Sequence, residues 1–100
     1  MLMAISDIKK IVADYMGTTV DEINSRNRFK NVALARQIAM FYSHLMGNTQ
    51  EEVADKFDRV HTNVTHAVKK VKQWRECDHE IRAMLEGIEG EYPQLKGLSC

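Results

Sequence analysis

Residues 49–74, TQEEVADKFDRVHTNVTHAVKKVKQW, decide the fold, because they read as two short helices joined by a tight turn. Thr49 and Glu52 form a T-x-x-E capping box, in which the hydroxyl satisfies an orphan amide and the carboxylate reaches back to the cap. Val53 and Phe57 then share one helical face. In the second half Val64, Ala67, Val68 and Val71 fall at helical spacing and form an inward stripe. That leaves Thr62, Asn63, Thr65, His66, Lys69, Lys70 and Lys72 outward, polar at the start and cationic further along. A recognition helix needs this order: short hydrogen-bonding side chains at its N-terminal end reach base edges, and lysines beyond them meet phosphates. A solvated helix with an ordinary charged face is the bland alternative.

Working outward, the 100-residue chain suits one domain with a single modest core. It is 44% hydrophobic and 28% charged, with one proline and five glycines, a composition that fits a mostly helical protein. No apolar run approaches the length of a membrane span, and MLMAISDIKK lacks the apolar stretch of a signal peptide, so a cytoplasmic protein without a membrane role is expected. Cys77 and Cys100 are expected as reduced thiols.

The formal net charge is zero, yet the charges are unevenly spread. Residues 1–25 carry −2 and residues 76–100 carry −4, while residues 26–75 hold ten Lys and Arg against Glu51, Glu52, Asp55 and Asp58, giving +6. A basic centre between acidic ends can focus a positive patch, and the patch rather than the total meets phosphate.

Before the helix-turn-helix, Ile8, Ile11, Val12, Tyr15 and Met16 mark a first helix from about Asp7 to Met16, capped by Ser6 and stopped at Gly17. A second capping box, Thr19 with Glu22, starts a single helical turn ending near Asn24. Residues 25–31, SRNRFKN, break the period and concentrate Arg26, Arg28 and Lys30 in what reads as a basic loop, able to enter a minor groove or follow phosphates. A solvated connector would carry the same charges. From about Val32 to Met46, with Gly47 as its stop, a central helix carries Ala35, Ile38, Ala39, Tyr42, Leu45 and Met46 on a wide apolar face. Arg36 and Gln37 lie off that stripe, where they could contact a DNA strand. After Trp74, Asp78 can cap a last amphipathic helix carrying Ile81, Met84, Leu85 and Ile88 and ending near Gly90; residues 91–100 read as a flexible tail.

With these segments laid out, the chain resembles the C-terminal DNA-binding domain of the bacterial chromosomal replication initiator DnaA over about residues 5–90. The resemblance rests on four stretches in order: SRNRFKN, VALARQIAMFYSHLMG with its ARQIAM string, EEVADKF, and HTNVTHAVKKV. It implies an all-α fold, a compact bundle of about five to six helices around a Trp-repressor-like helix-turn-helix. It further implies that Arg28, beside Lys30 in the basic loop, enters the minor groove and that Arg36, Gln37 and Lys70 meet phosphates. His61, Thr62 and Asn63 would face base edges, with His66 close to the backbone. Three departures stand out: Val60 where the family has an aspartate, Asn63 at a family threonine, and a turn one residue shorter. The lost carboxylate removes a cap and a base contact, so the family's target sequence does not transfer; Asn63 could instead read adenine bidentately.

The expected function is a module that binds double-stranded DNA sequence-specifically and regulates replication or transcription, free-standing, without an ATPase, and of phage or mobile-element origin. No G-x-x-x-x-G-K-[ST] occurs in these residues. The alternative is a protein-interaction module using the acidic helix from Asp78 to Ile88. An enzyme, cofactor or metal centre is not expected: His61 and His66 are five apart, and Cys77 with His79 lacks further ligands.

Overall fold

The computed structural model describes residues 4–26 and 29–96. Among them the regular elements are all helices: α1 (Ile5–Met16), α2 (Val20–Asn24), α3 (Lys30–Leu45), α4 (Gln50–Lys56), α5 (His61–Cys77), α6 (His79–Glu91) and the single turn α7 (Pro93–Lys96). This is the expected all-α bundle, organised on α3, which packs against α1, α2, α4 and α5. Burial explains why α3 is central. Val32, Ala35, Ile38, Ala39, Met40, Phe41, Tyr42 and Ser43 are all buried, more than a single stripe, because neighbours cover this helix on several sides. Among the described residues no helix is long and apolar enough to cross a membrane.

The helix ends follow local chemistry. Gly17 takes the left-handed conformation (φ 73°) that closes α1, and Thr49 with Glu52 forms the complete capping box of α4. Hydrogen bonds from the Thr49 amide and hydroxyl lower the Glu52 pKa from its ordinary value. At α2, Thr19 accepts from the Glu22 amide, while the Glu22 carboxylate takes bonds from the hydroxyls of Thr18 and Thr19. Two expected starts are corrected. Helix α1 begins at Ile5 behind Ala4 rather than at a Ser6 cap, since Ile5 is drawn into the core; α3 begins at Lys30, so Lys30 belongs to a helix and not to the loop.

Helix α4 ends in a Schellman arrangement: Asp58 is left-handed (φ 53°), its amide bonds Asp55 O, and the Arg59 amide reaches Ala54 O at 2.9 Å. An aspartate tolerates this conformation better than most residues. The reversal seats Phe57 wholly in the core and leaves four residues between the end of α4 and the start of α5.

The first helix differs from its expected pattern at two places. Tyr15 is partly exposed, its hydroxyl end lying against Gly87 of α6, whereas Lys9 is buried. The Lys9 ammonium donates to Asn24 Oδ1 (2.7 Å) and to the Lys56 carbonyl, and stands 4.4 Å from the centre of the Phe57 ring. Burial, with the Lys56 charge nearby, lowers its pKa from the ordinary value. Lys9 thereby joins α1, α2 and the end of α4 at one point.

At the opposite end, Glu89 of α6 is buried between Arg75 (2.7 Å) and the Tyr42 hydroxyl (2.6 Å). Burial and the Glu89 hydrogen bond push the Tyr42 hydroxyl well above its ordinary pKa. The expected flexible tail differs at residues 93–96: Pro93, which needs no amide partner at a helix start, opens α7, and Leu95 is fully buried. Residues 97–100 lie outside the described residues. Ile38 and Val64 have no exposed surface on the two helices that meet most extensively. Ile38→Ala is therefore expected to destabilise the fold by about 2–5 kcal/mol, measured by thermal or denaturant unfolding; an unchanged midpoint would contradict the central packing of α3.

Candidate nucleic-acid interface

Helix α5 rests its inward stripe, Val64, Ala67, Val68 and Val71, on α3 and α4, as its sequence spacing requires. This turns His61, Thr62, Asn63, His66, Lys69, Lys70 and Lys72 out to solvent. Thr65 is half-buried instead, its hydroxyl bonded to Gln50 Oε1, which ties the second helix of the motif to the first. The start of α5 is Val60, extended (φ −79°, ψ 156°) and without a side-chain cap, as the missing carboxylate implies.

Between α3 and α5 lies an open cleft of about 260 Å³, lined by Ala33, Arg36, Gln37, Met40, Arg59, Asn63, His66, Ala67 and Lys70. Five residues singled out in the sequence thus converge: Arg36, Gln37, Asn63, His66 and Lys70. Its lining carries three permanent cations, one imidazole, two amides and no carboxylate. A second cleft of about 370 Å³ shares Gln37 and Lys70 and continues to Lys30, Leu34, Trp74 and Asp78. Lys30 therefore extends the cationic border along the start of α3. His61 and Thr62 are exposed at the tip of α5, beyond the cleft. Arg28 lies outside the described residues.

Arg36 is placed differently from the others. It is 9% exposed, and its guanidinium donates from Nε to Ile23 O (2.7 Å) and from Nη2 to Glu22 O (3.2 Å) and Ser25 O (2.8 Å). These carbonyls are the C-terminal end of α2, where positive charge is favourable. Burial, and then the neighbouring Arg59 charge, lower the Arg36 pKa from its ordinary value. The expectation of a surface phosphate contact is corrected to this extent: Arg36 touches the cleft from inside while holding α2 and the following chain against α3.

Arg59 is the residue that pattern reading passed over. It is half-buried in the turn, lines the cleft, and reaches Ser25 O with one Nη and Asp58 O (3.1 Å) with the other. Two guanidiniums, from α3 and from the turn, thus converge on one carbonyl. The only signal in the sequence was its place immediately before the Val60 cap.

Helix α6 reaches the second cleft through its cap Asp78 and Ile81, and two carboxylates of this segment have internal partners. Asp78 accepts from the amides of Glu80 (3.0 Å) and Ile81 (3.1 Å), and Glu89 binds Arg75 and Tyr42. Glu80 and Glu86 remain exposed.

The arrangement agrees with what comparison with known proteins finds. Residues 5–71 match the family described as the bacterial DnaA protein helix-turn-helix. The chain belongs to that family. It is similar to the chromosomal replication initiator protein DnaA of Streptococcus mutans, with 33% identity over 93 residues, covering 91% of this chain and 21% of the relative. This DnaA-type chain thus spans about a fifth of the length of that relative. The matched span takes in α1 through most of α5, including every described residue of the cleft.

The different placements of Arg36 and Lys70 make opposite expectations. Arg36→Ala should lower stability by about 1.5–3 kcal/mol, the range for hydrogen bonds to a charged group, while Lys70→Ala should leave the melting temperature unchanged. Equal melting temperatures for both variants would contradict the structural role given to Arg36.

Proposed function

We propose that the chain is a sequence-specific double-stranded DNA-binding module, with α5 in the major groove and the clefts beside it receiving the phosphate backbone. The observation that carries this reading is the cleft without carboxylates between α3 and α5, opening beside the exposed first turn of α5. Membership of the DnaA helix-turn-helix family supports it. The division of labour is by chemistry. Lys70, Lys30 and His66 are exposed donors suited to phosphate oxygens, and Gln37 adds an amide at the cleft wall. His61, Thr62 and Asn63 supply short polar groups for base edges at the end of the helix that a groove admits. Arg36 and Arg59 act as positioning residues by holding the Ser25 carbonyl, and Arg28 is assigned to the minor groove on the strength of the family pattern alone. Occupying a duplex site in this way would regulate replication or transcription from that site. Catalysis is not part of the proposal.

Phosphate contacts and base contacts leave different thermodynamic traces. Lys70→Ala should weaken binding to all duplexes and reduce the slope of log K against log salt by about 0.9, the counterion released per contact. Asn63→Ala should leave the salt slope and the fold unchanged but reduce discrimination at one base pair by about 1–3 kcal/mol. A salt series on parent and variants, with selection from a randomised duplex library, measures both. A parent that enriches no sequence and binds all duplexes equally weakly would overturn the proposal in favour of a protein-interaction module.

A further inference from the structure

We propose that Val60 is a specificity-determining residue that reads the C5-methyl group of a thymine, an inference that rests on the duplex-binding reading of α5. Three observations lead to it. Val60 is 64% exposed, although the same motif buries Phe57 and Val64 completely. It also occupies the N-cap of α5, where Ser, Thr, Asp or Asn would satisfy an orphan amide and valine makes no side-chain bond. The position therefore forgoes both core burial and capping.

The third observation is that the backbone here is held on both sides. The Asn63 amide donates to Val60 O (3.0 Å), the Arg59 amide donates to Ala54 O (2.9 Å), and the Arg59 guanidinium is tied to Ser25 O. A β-branched side chain on a fixed backbone has few rotamers. Its isopropyl group is thus presented in a set direction, immediately before the exposed His61, Thr62 and Asn63. Its nearest charged neighbour in sequence, Arg59, borders the cationic cleft. An apolar group at the leading edge of such a surface calls for an apolar feature on the ligand. Phosphates and most base-edge atoms of a duplex are polar, and in the major groove the thymine methyl is the exception.

The test starts from the best site that the parent selects from a randomised duplex library. Each enriched thymine is replaced singly by deoxyuridine, which lacks only the methyl group, and binding is measured for the parent, Val60→Ala and Val60→Asp. One replacement should weaken the parent about fourfold, the factor equivalent to roughly 0.8 kcal/mol for one buried methyl-sized group. The same replacement should leave Val60→Ala unaffected. Val60→Asp should shift the preference at that position from thymine to cytosine, whose amino group a carboxylate can accept from. A parent that selects a site yet binds every deoxyuridine version equally well would overturn the role of Val60 while sparing the duplex-binding reading. So would a Val60→Ala variant that loses as much as the parent. A parent that selects no site would overturn both.

Discussion

Cations that close the carbonyl ends of neighbouring helices, two of them buried, are the constraint on which this domain depends. Arg36 of α3 meets the end of α2 through Glu22, Ile23 and Ser25; Lys9 of α1 meets the end of α4 at Lys56; Arg82 of α6 meets the end of α5 through Arg75 O (2.7 Å) and Glu76 O (2.6 Å). Each charge is stabilised by carbonyl dipoles that an isolated helix would leave to water. Burying a cation without such partners would be costly. Short helices of five and seven residues, α2 and α4, could not hold their ends by propensity alone, and tertiary cations do it for them.

This use of carbonyls has a consequence for the surface. Arg36 and Arg59 both reach the Ser25 carbonyl as cations, and the lining of the cleft between α3 and α5 carries no carboxylate. Positive charge accumulates beside the recognition helix. Elsewhere Glu89 satisfies Arg75 and Tyr42, while Asp78 caps α6 and lines the second cleft rather than the first. Neutral overall composition is therefore compatible with a focused patch, and it is the local field that would guide a polyanion.

Much of the fold could be read from short-range rules. The Thr49–Glu52 box, the Gly17 stop and the period of Val64, Ala67, Val68 and Val71 each depend on residues within one or two turns, and each appears where those rules put it. What escaped was long-range. Lys9 looks like a solvated lysine until α2 and α4 close over it, and Arg36 looks like a surface residue until its partners eleven to fourteen positions away are known. Arg59 has no periodic context at all, and its partner Ser25 is 34 residues distant. Leu95 reads as part of a tail because a single turn after a proline carries no period; only contact with the core reveals its burial. For the interface, periodicity turned Thr62, Asn63, His66 and Lys70 outward, as the structure does, but whether an outward cation stands in a cleft or in open solvent is decided by the helix beside it.

The central claim is that duplex DNA is met by the start of α5 and the cationic wall it shares with α3. Titrating the isotope-labelled protein with a duplex site and following backbone amide shifts by NMR tests this most directly. The account predicts that the largest perturbations fall on Val60 to His66, Lys70 and the first two turns of α3, with α6 nearly unmoved. Perturbations concentrated on Glu80 to Glu91 of α6, or shifts absent at saturating duplex, would contradict it.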